Sequence, residues 1–228
     1  MLRKLLLLIF VCLWQSGFSQ QVYIIGEDNS NLLGKEWISP EAVATLKSMK
    51  LNYKKPEGFN EAYLVSECFE PNSKLALALT CISNKLYTDK GDFITFMNVI
   101  PFLSTKDIAD WESTVPNFNY DIDQLHNNKL RHIMKIWYGD SAAEDWQHYL
   151  SYYSTVKAKS KFNADTAITF SITLDSAEYY DKYNYLDVFL IQKNGRGFVT
   201  FYSFYDEEGK KNLDKYKKEI EGILRFED

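Results

Sequence analysis

The sequence predicts an α+β domain built on an antiparallel sheet, and three stretches of its last third carry that prediction. Ile168, Phe170, Ile172 and Leu174 alternate with Ala167, Thr169, Ser171 and Thr173, the period-two pattern of a half-buried strand. Two apolar runs, Tyr185 to Lys193 and Arg196 to Tyr205, flank Asn194-Gly195, a strong hairpin signal because both residues tolerate positive φ. After Asp206 and the acids behind it, Leu213, Tyr216, Ile220, Ile223 and Leu224 recur along the buried face of a helix. Lys210, Lys211, Lys215, Lys217 and Lys218 form its solvated side on this reading.

The earlier elements follow from similar signals. Gln21 to Gly26 reads as a short strand, and Asp28 to Gly34 as a polar turn. Ser39-Pro40-Glu41 starts a helix that runs to about Ser48, since serine caps and proline suits the first helical position. Met49 to Lys54 reads as a strand entering a loop at Pro56-Glu57-Gly58. In Lys74 to Ile82, Leu75, Leu77, Leu79 and Cys81 share one strand face, with Ala76, Ala78 and Thr80 on the other. Phe93 to Ile100 is a further strand, stopped by Pro101. Ser104 to Asp107 resembles a capping box for a helix with Ile108 and Trp111. Ile122, Leu125, Ile133, Met134 and Trp137 fit one helical face across Asp121 to Trp137. Ser141 and Glu144 form a better capping box, and Trp146, Tyr149, Leu150, Tyr153 and Val156 follow at helical spacing.

Met1 to Gln20 reads as a secretory leader. Arg3 and Lys4 precede the apolar run Leu5 to Trp14, and Gly17-Phe18-Ser19 supplies small residues for cleavage after Ser19. The run is shorter than the roughly 20 residues that span a bilayer. Cys12 lies inside it rather than at its end after small residues, which disfavours lipidation. The expected organisation is a signal peptide over 1–19, a lead-in segment over 20–48 and a single α+β domain over 49–228. Loss of Arg3 and Lys4 leaves 24 basic against 31 acidic residues, a net charge of −7. That balance excludes the electrostatic footprint of a nucleic-acid binder and disfavours anionic membrane surfaces. Cys68 and Cys81 remain after cleavage, in a compartment where they could pair. A turn at Glu70 to Ser73 sets Cys68 opposite Leu77 and Cys81 opposite Leu64, which favours two buried thiols over a disulfide.

Catalytic signatures are sparse. His126, His132 and His148 lack the i, i+4 spacing of a helical zinc pair, so no metal is expected, although the three histidines, with acidic neighbours such as Asp145, could still converge in space. Gly-x-Ser-x-Gly is missing, and neither Cys68 nor Cys81 has a local histidine. Among Asp121, Asp123, Asp140, Glu144 and Asp145, nothing singles out a glycosidase pair. The Gly-x-Gly of Asn194 to Gly197 joins two strands, whereas a phosphate loop opens a helix; Gly197 marks a bulge or a close approach. No catalytic residue and no cofactor are assigned. The binding candidates are Tyr179, Tyr180, Tyr183 and Tyr185, whose apolar bodies and polar tips suit stacking against a sugar or a protein partner, with self-packing as the alternative.

Lys55-Pro56-Glu57-Gly58-Phe59, the hairpin bend Lys193 to Gly197 and the closing helix ending in Gly222-Ile223-Leu224-Arg225-Phe226 resemble the PsbP/Mog1-like domains. The resemblance covers about Met49 to Phe226 and implies an α/β/α sandwich around an antiparallel sheet. It also implies a non-catalytic binding or assembly role, with no shared catalytic residues to carry over. Phe18-Ser19-Gln20 is similar to the leader ends of small exported Bacteroidota proteins. The expected function is an exported, periplasmic or secreted, non-enzymatic domain that binds a protein or small molecule, with no nucleic acid and no stable membrane insertion. The alternatives are a hydrolase whose acid or His residues converge only in three dimensions, and a periplasmic immunity or inhibitor protein.

Overall fold

The fold is set by two central strands that are buried on both sides. A computed structural model describes residues 46–62, 84–102, 127–128, 130–131, 133–135, 138–174 and 183–228. Its strands are β1 (Leu51–Tyr53), β2 (Asn60–Ala62), β3 (Asn84–Tyr87), β4 (Phe93–Pro101), β5 (Ser151–Tyr152), β6 (Thr166–Thr173), β7 (Tyr185–Lys193), β8 (Gly197–Tyr205) and β9 (Leu224–Phe226). Its helices include α1 (Asp140–Glu144), α2 (Thr155–Phe162), α3 (Glu207–Lys211) and α4 (Leu213–Glu221), and a 3-10 turn spans Trp146–Tyr149. A seven-stranded antiparallel sheet runs β2-β3-β4-β8-β7-β6-β5, and β1 pairs with β9 in a separate ribbon.

An antiparallel sheet with one wet face shows alternating burial. Here β8 is buried at every position and β4 at all but its last, because both faces are covered. On one face, Phe93, Met97, Val199 and Phe201 meet Met49, Phe162 of α2, Ile220 of α4 and Phe226 of the ribbon. On the other, Phe96, Phe198, Tyr202 and Val188 meet Leu130, Ile133, Met134 and Trp146. The chain thus forms the α/β/α sandwich with an antiparallel centre that its sequence led us to expect. Leu46 is buried in the first of these clusters, so the turn before β1 belongs to the packed body.

The strand readings near β1, β4 and β6 hold within two residues, and β6 keeps its half-buried pattern. The hairpin also forms, with Lys193 opposite Gly197. Its loop is three residues, 194–196, so Arg196 turns rather than opening the strand; Gly195 sits at φ 72 within it.

Two helical readings are corrected. The single helix expected from Ser141 through Val156 is broken into α1, the 3-10 turn, β5 and α2. Ser141 caps nothing; Gly139 precedes α1 without a side-chain cap, and Ser154 caps α2 by accepting from Lys157 N. The cause is sheet pairing: Ser151 and Tyr152 align with Thr169 and Ile168, and Tyr153 N donates to Ala167 O. That pairing outweighs a helical spacing that only tertiary context could decide. Tyr149 and Val156, two of the residues at that helical spacing, are exposed. The helix after Asp206 is likewise split at Asn212, and Leu224 pairs in β9 with Tyr53 instead of extending it.

The ribbon is anchored by Asn163, which ends α2 in the left-handed conformation at φ 49. Its amide donates to Phe226 O at 3.1 Å and to Glu227 O at 3.0 Å, and Glu227 N donates to Lys50 O at 2.8 Å. The leader, the strand over Lys74 to Ile82, Cys68, Cys81 and the capping box at Ser104 lie outside the described residues.

Candidate functional site

Beneath α4 the sheet places polar groups where apolar ones would be expected. Register sets Thr95, Ser203 and Asp187 in one row across β4, β8 and β7, and all three are buried. Ser203 Oγ donates to Thr95 Oγ1 at 2.9 Å. Asp187 Oδ1 accepts from Tyr205 Oη at 3.2 Å, and Lys217 Nζ of α4 lies 2.5 Å from Oδ2. Lys217, expected on the solvated side of its helix, instead turns inward to neutralise a carboxylate that is 3% exposed as a residue. A buried charge is tolerated when it is paired in this way.

A second carboxylate lies nearby at the start of β4. Asp92 accepts from Thr88 Oγ1 and, at 2.9 Å, from Tyr216 Oη. Its backbone carbonyl accepts from Asp206 N at 3.2 Å, and the Asp206 side chain caps α3 through Gly209 N. An aromatic wall joins the two acids: Tyr185 stacks on Tyr205 with centroids 5.3 Å apart, Tyr205 on Phe93 at 6.2 Å, and Phe93 meets Tyr216 at 4.9 Å.

The environment shifts the phenols upward. Burial, then the bond to Asp92, pushes Tyr216 up to about 12. Burial, then the charge of Asp187, holds Tyr205 well above the ordinary tyrosine range. Burial does the same for Tyr202 and, with a bond to Glu221, for Tyr153. A phenol whose folded pKa exceeds its unfolded value holds its proton longer in the native state. Its contribution to stability is whole below about pH 10 and is lost as pH climbs through the folded pKa, by about 1.4 kcal/mol per pH unit per group. Urea midpoints are therefore expected to fall between pH 10 and 12. Tyr216→Phe should flatten that fall by about one group's share, while an unchanged slope would refute the shift.

The tyrosines named from the sequence do not share one surface. Tyr183 packs on the face of Trp146 and donates to Gly91 O at 3.0 Å. Tyr185 packs on the opposite face, donates to Glu207 Oε1 at 2.5 Å and carries Lys210 over its ring at 4.0 Å. Tyr179 and Tyr180 lie outside the described residues, as do His126, His132, Asp121 and Asp123. His148 lies 3.3 Å from Asp145 on the surface, and Asp140 pairs with Lys135 at 2.8 Å. Among the described residues no three His, Cys, Asp or Glu side chains converge as a metal site. No helix among them is long and apolar enough to cross a membrane. Asn194-Gly195-Arg196-Gly197 bends a hairpin, as its strand flanks require.

One solved structure is similar. It is the solution structure of cyanobacterial PsbP (CyanoP) from Synechocystis sp. PCC 6803, at a TM-score of 0.38 and 7% sequence identity, covering 78% of this chain and 88% of that one. No protein-family model and no curated protein matches the chain.

The acid–tyrosine cluster was only partly legible. Tyr185, Asp206 and Tyr216 attract attention by type and spacing, whereas Asp92, Asp187 and Lys217 sit in runs that read as turn, strand and solvated helix. A usable signal was Asp187 between Leu186 and Val188, a charge inside an apolar strand, which calls for a buried partner.

Proposed function

We propose that this chain is an exported, non-enzymatic domain that binds a protein or small ligand. The observation that carries the reading is the state of Asp92 and Asp187, the buried acids among the described residues. Asp92 is closed by Thr88 and Tyr216, and Asp187 by Tyr205 and Lys217. A general acid or base must reach the proton that it moves, and these carboxylates spend their reach on their own scaffold. Their bonds tie α4 to the sheet and make a stiff frame, which suits presentation of an outer surface. The leader supports an address outside the cytoplasm.

Expression of the full chain in a Gram-negative host tests both parts. The expected product is a periplasmic protein whose first residue is Gln20. A full-length chain held in the cytoplasm would overturn the address. A hydrolytic activity abolished by Asp92→Asn or Asp187→Asn, with the circular dichroism unchanged, would overturn the non-enzymatic reading.

A further inference from the structure

Among the described residues, every large hydrophobic side chain that is exposed falls between residues 138 and 156: Tyr138 (37% exposed), Tyr149 (42%), Tyr152 (55%) and Val156 (78%). Three of the four are tyrosines, and the fold brings them to one margin of the sheet. Tyr138 and Tyr149 stack with centroids 4.6 Å apart and planes 27° from parallel. Tyr152 lies in edge strand β5 opposite Ile168, and Tyr138 Oη donates to Ser171 O at 2.8 Å, three residues further along β6. The tyrosines therefore line about 10 Å of the β6 edge.

Among the described residues the rim is polar and carries two pairs of opposite charge. His148 meets Asp145 at 3.3 Å, and Lys135 neutralises Asp140 at 2.8 Å. Gln147, His148 and Asp145 are exposed beside Tyr149 and offer an amide, an imidazole and a carboxylate. That set can both donate to and accept from hydroxyl groups. Among the described residues it carries no cationic cluster for an anion. Strand addition needs a free edge, and Tyr138 already occupies the Ser171 carbonyl on this one. A hydrophobic helix would need an apolar groove rather than phenol-tipped rings on a surface.

We infer that this margin is a docking surface for a neutral carbohydrate chain, its sugar rings lying on Tyr149 and Tyr152 and its hydroxyls bonding to the rim. This rests on the binding reading above and names the class of ligand. It moves the contact away from Tyr179 to Tyr185, of which Tyr183 and Tyr185 are held in the scaffold.

Isothermal titration of the mature chain with neutral hexasaccharides of glucose, mannose and xylose, α- and β-linked, tests it. At least one is expected to bind. Tyr149→Ala and Tyr152→Ala should each weaken that binding by about tenfold, the scale of one lost aromatic contact, with the circular dichroism unchanged. Tyr185→Phe, on the opposite face, should leave it unchanged. The inference is overturned if no hexasaccharide binds, if the two alanine variants bind as tightly as the parent, or if a lysine-rich peptide binds in place of the sugars and is lost in the same variants. In the last case, or if a ligand binds through another surface, the binding-module reading stands and only the carbohydrate assignment falls.

Discussion

Replacing Gly197 with alanine is expected to destabilise the domain by about 4 kcal/mol, from strain and overpacking together. Gly197 opens β8 at φ 143, a conformation that L side chains rarely adopt. A Cβ there would lie 2.3 Å from Ile100 O, 2.7 Å from Met49 Cε and 2.9 Å from Pro101 Cα. Only the methionine can yield; the other two belong to the backbone of β4, which pairs with β8 along its full length. Relief would therefore have to come from the centre of the sheet. Gly195→Ala is the control. It shares a positive φ, at 72, but has nothing within 4 Å of its Cβ, so only the conformational penalty of about 1 kcal/mol applies. Urea unfolding of the two variants should separate them clearly. Equal losses would show that φ alone governs both positions.

Lys217→Met should cost about 2 kcal/mol, less than the scale for breaking a fully buried ion pair because the lysine side chain is 38% exposed. The methionine keeps most of the apolar stem, so the loss reports the charge. Asp187 Oδ2 is buried, and Lys217 Nζ is the group that reaches it among the described residues. Without that ammonium the carboxylate keeps only the Tyr205 hydroxyl on its other oxygen. Adding Asp187→Asn removes the orphaned charge and keeps an acceptor for Tyr205. The double variant should recover at least half of the loss, because deleting both partners of a buried pair is far cheaper than deleting one. A loss below about 0.5 kcal/mol for Lys217→Met, the level of an exposed pair, would show that water screens the pair and that α4 is not pinned through it.

The two sites differ in how far they could be read from the chain. Gly197 was legible as a bulge or a close approach, because a glycine one residue past a tight turn has few other reasons to be there. The identity of what approaches it, Ile100 and Pro101, was not. Lys217 was misread, since the lysines of its helix look alike in sequence and only the position of Asp187 on the neighbouring sheet draws one of them inward. Tyr149 was misread for a related reason. Its spacing from Trp146 and Tyr153 fits a helix, yet the three residues end up in a 3-10 turn and beside a strand edge, with Tyr149 outside and Trp146 inside. Ser151-Tyr152-Tyr153 held a hint: a strand sends neighbouring side chains to opposite faces, and Tyr153 does pack on Phe162 and Phe189 while Tyr152 stays outside.

The class of the fold is legible in the chain alone: the hairpin, the half-buried strand before it and the helix after it each follow from periodicity and turn chemistry within a few residues. Those signals are local, so they survive without knowledge of the rest of the chain. Long-range contacts settle that both faces of the sheet are covered, that the helix expected over 141–156 yields to a strand, and that Asp92, Asp187, Tyr205, Tyr216 and Lys217 meet. These outcomes depend on pairing between residues up to 124 apart in sequence, as between Asp92 and Tyr216, and no local pattern encodes a partner at that separation.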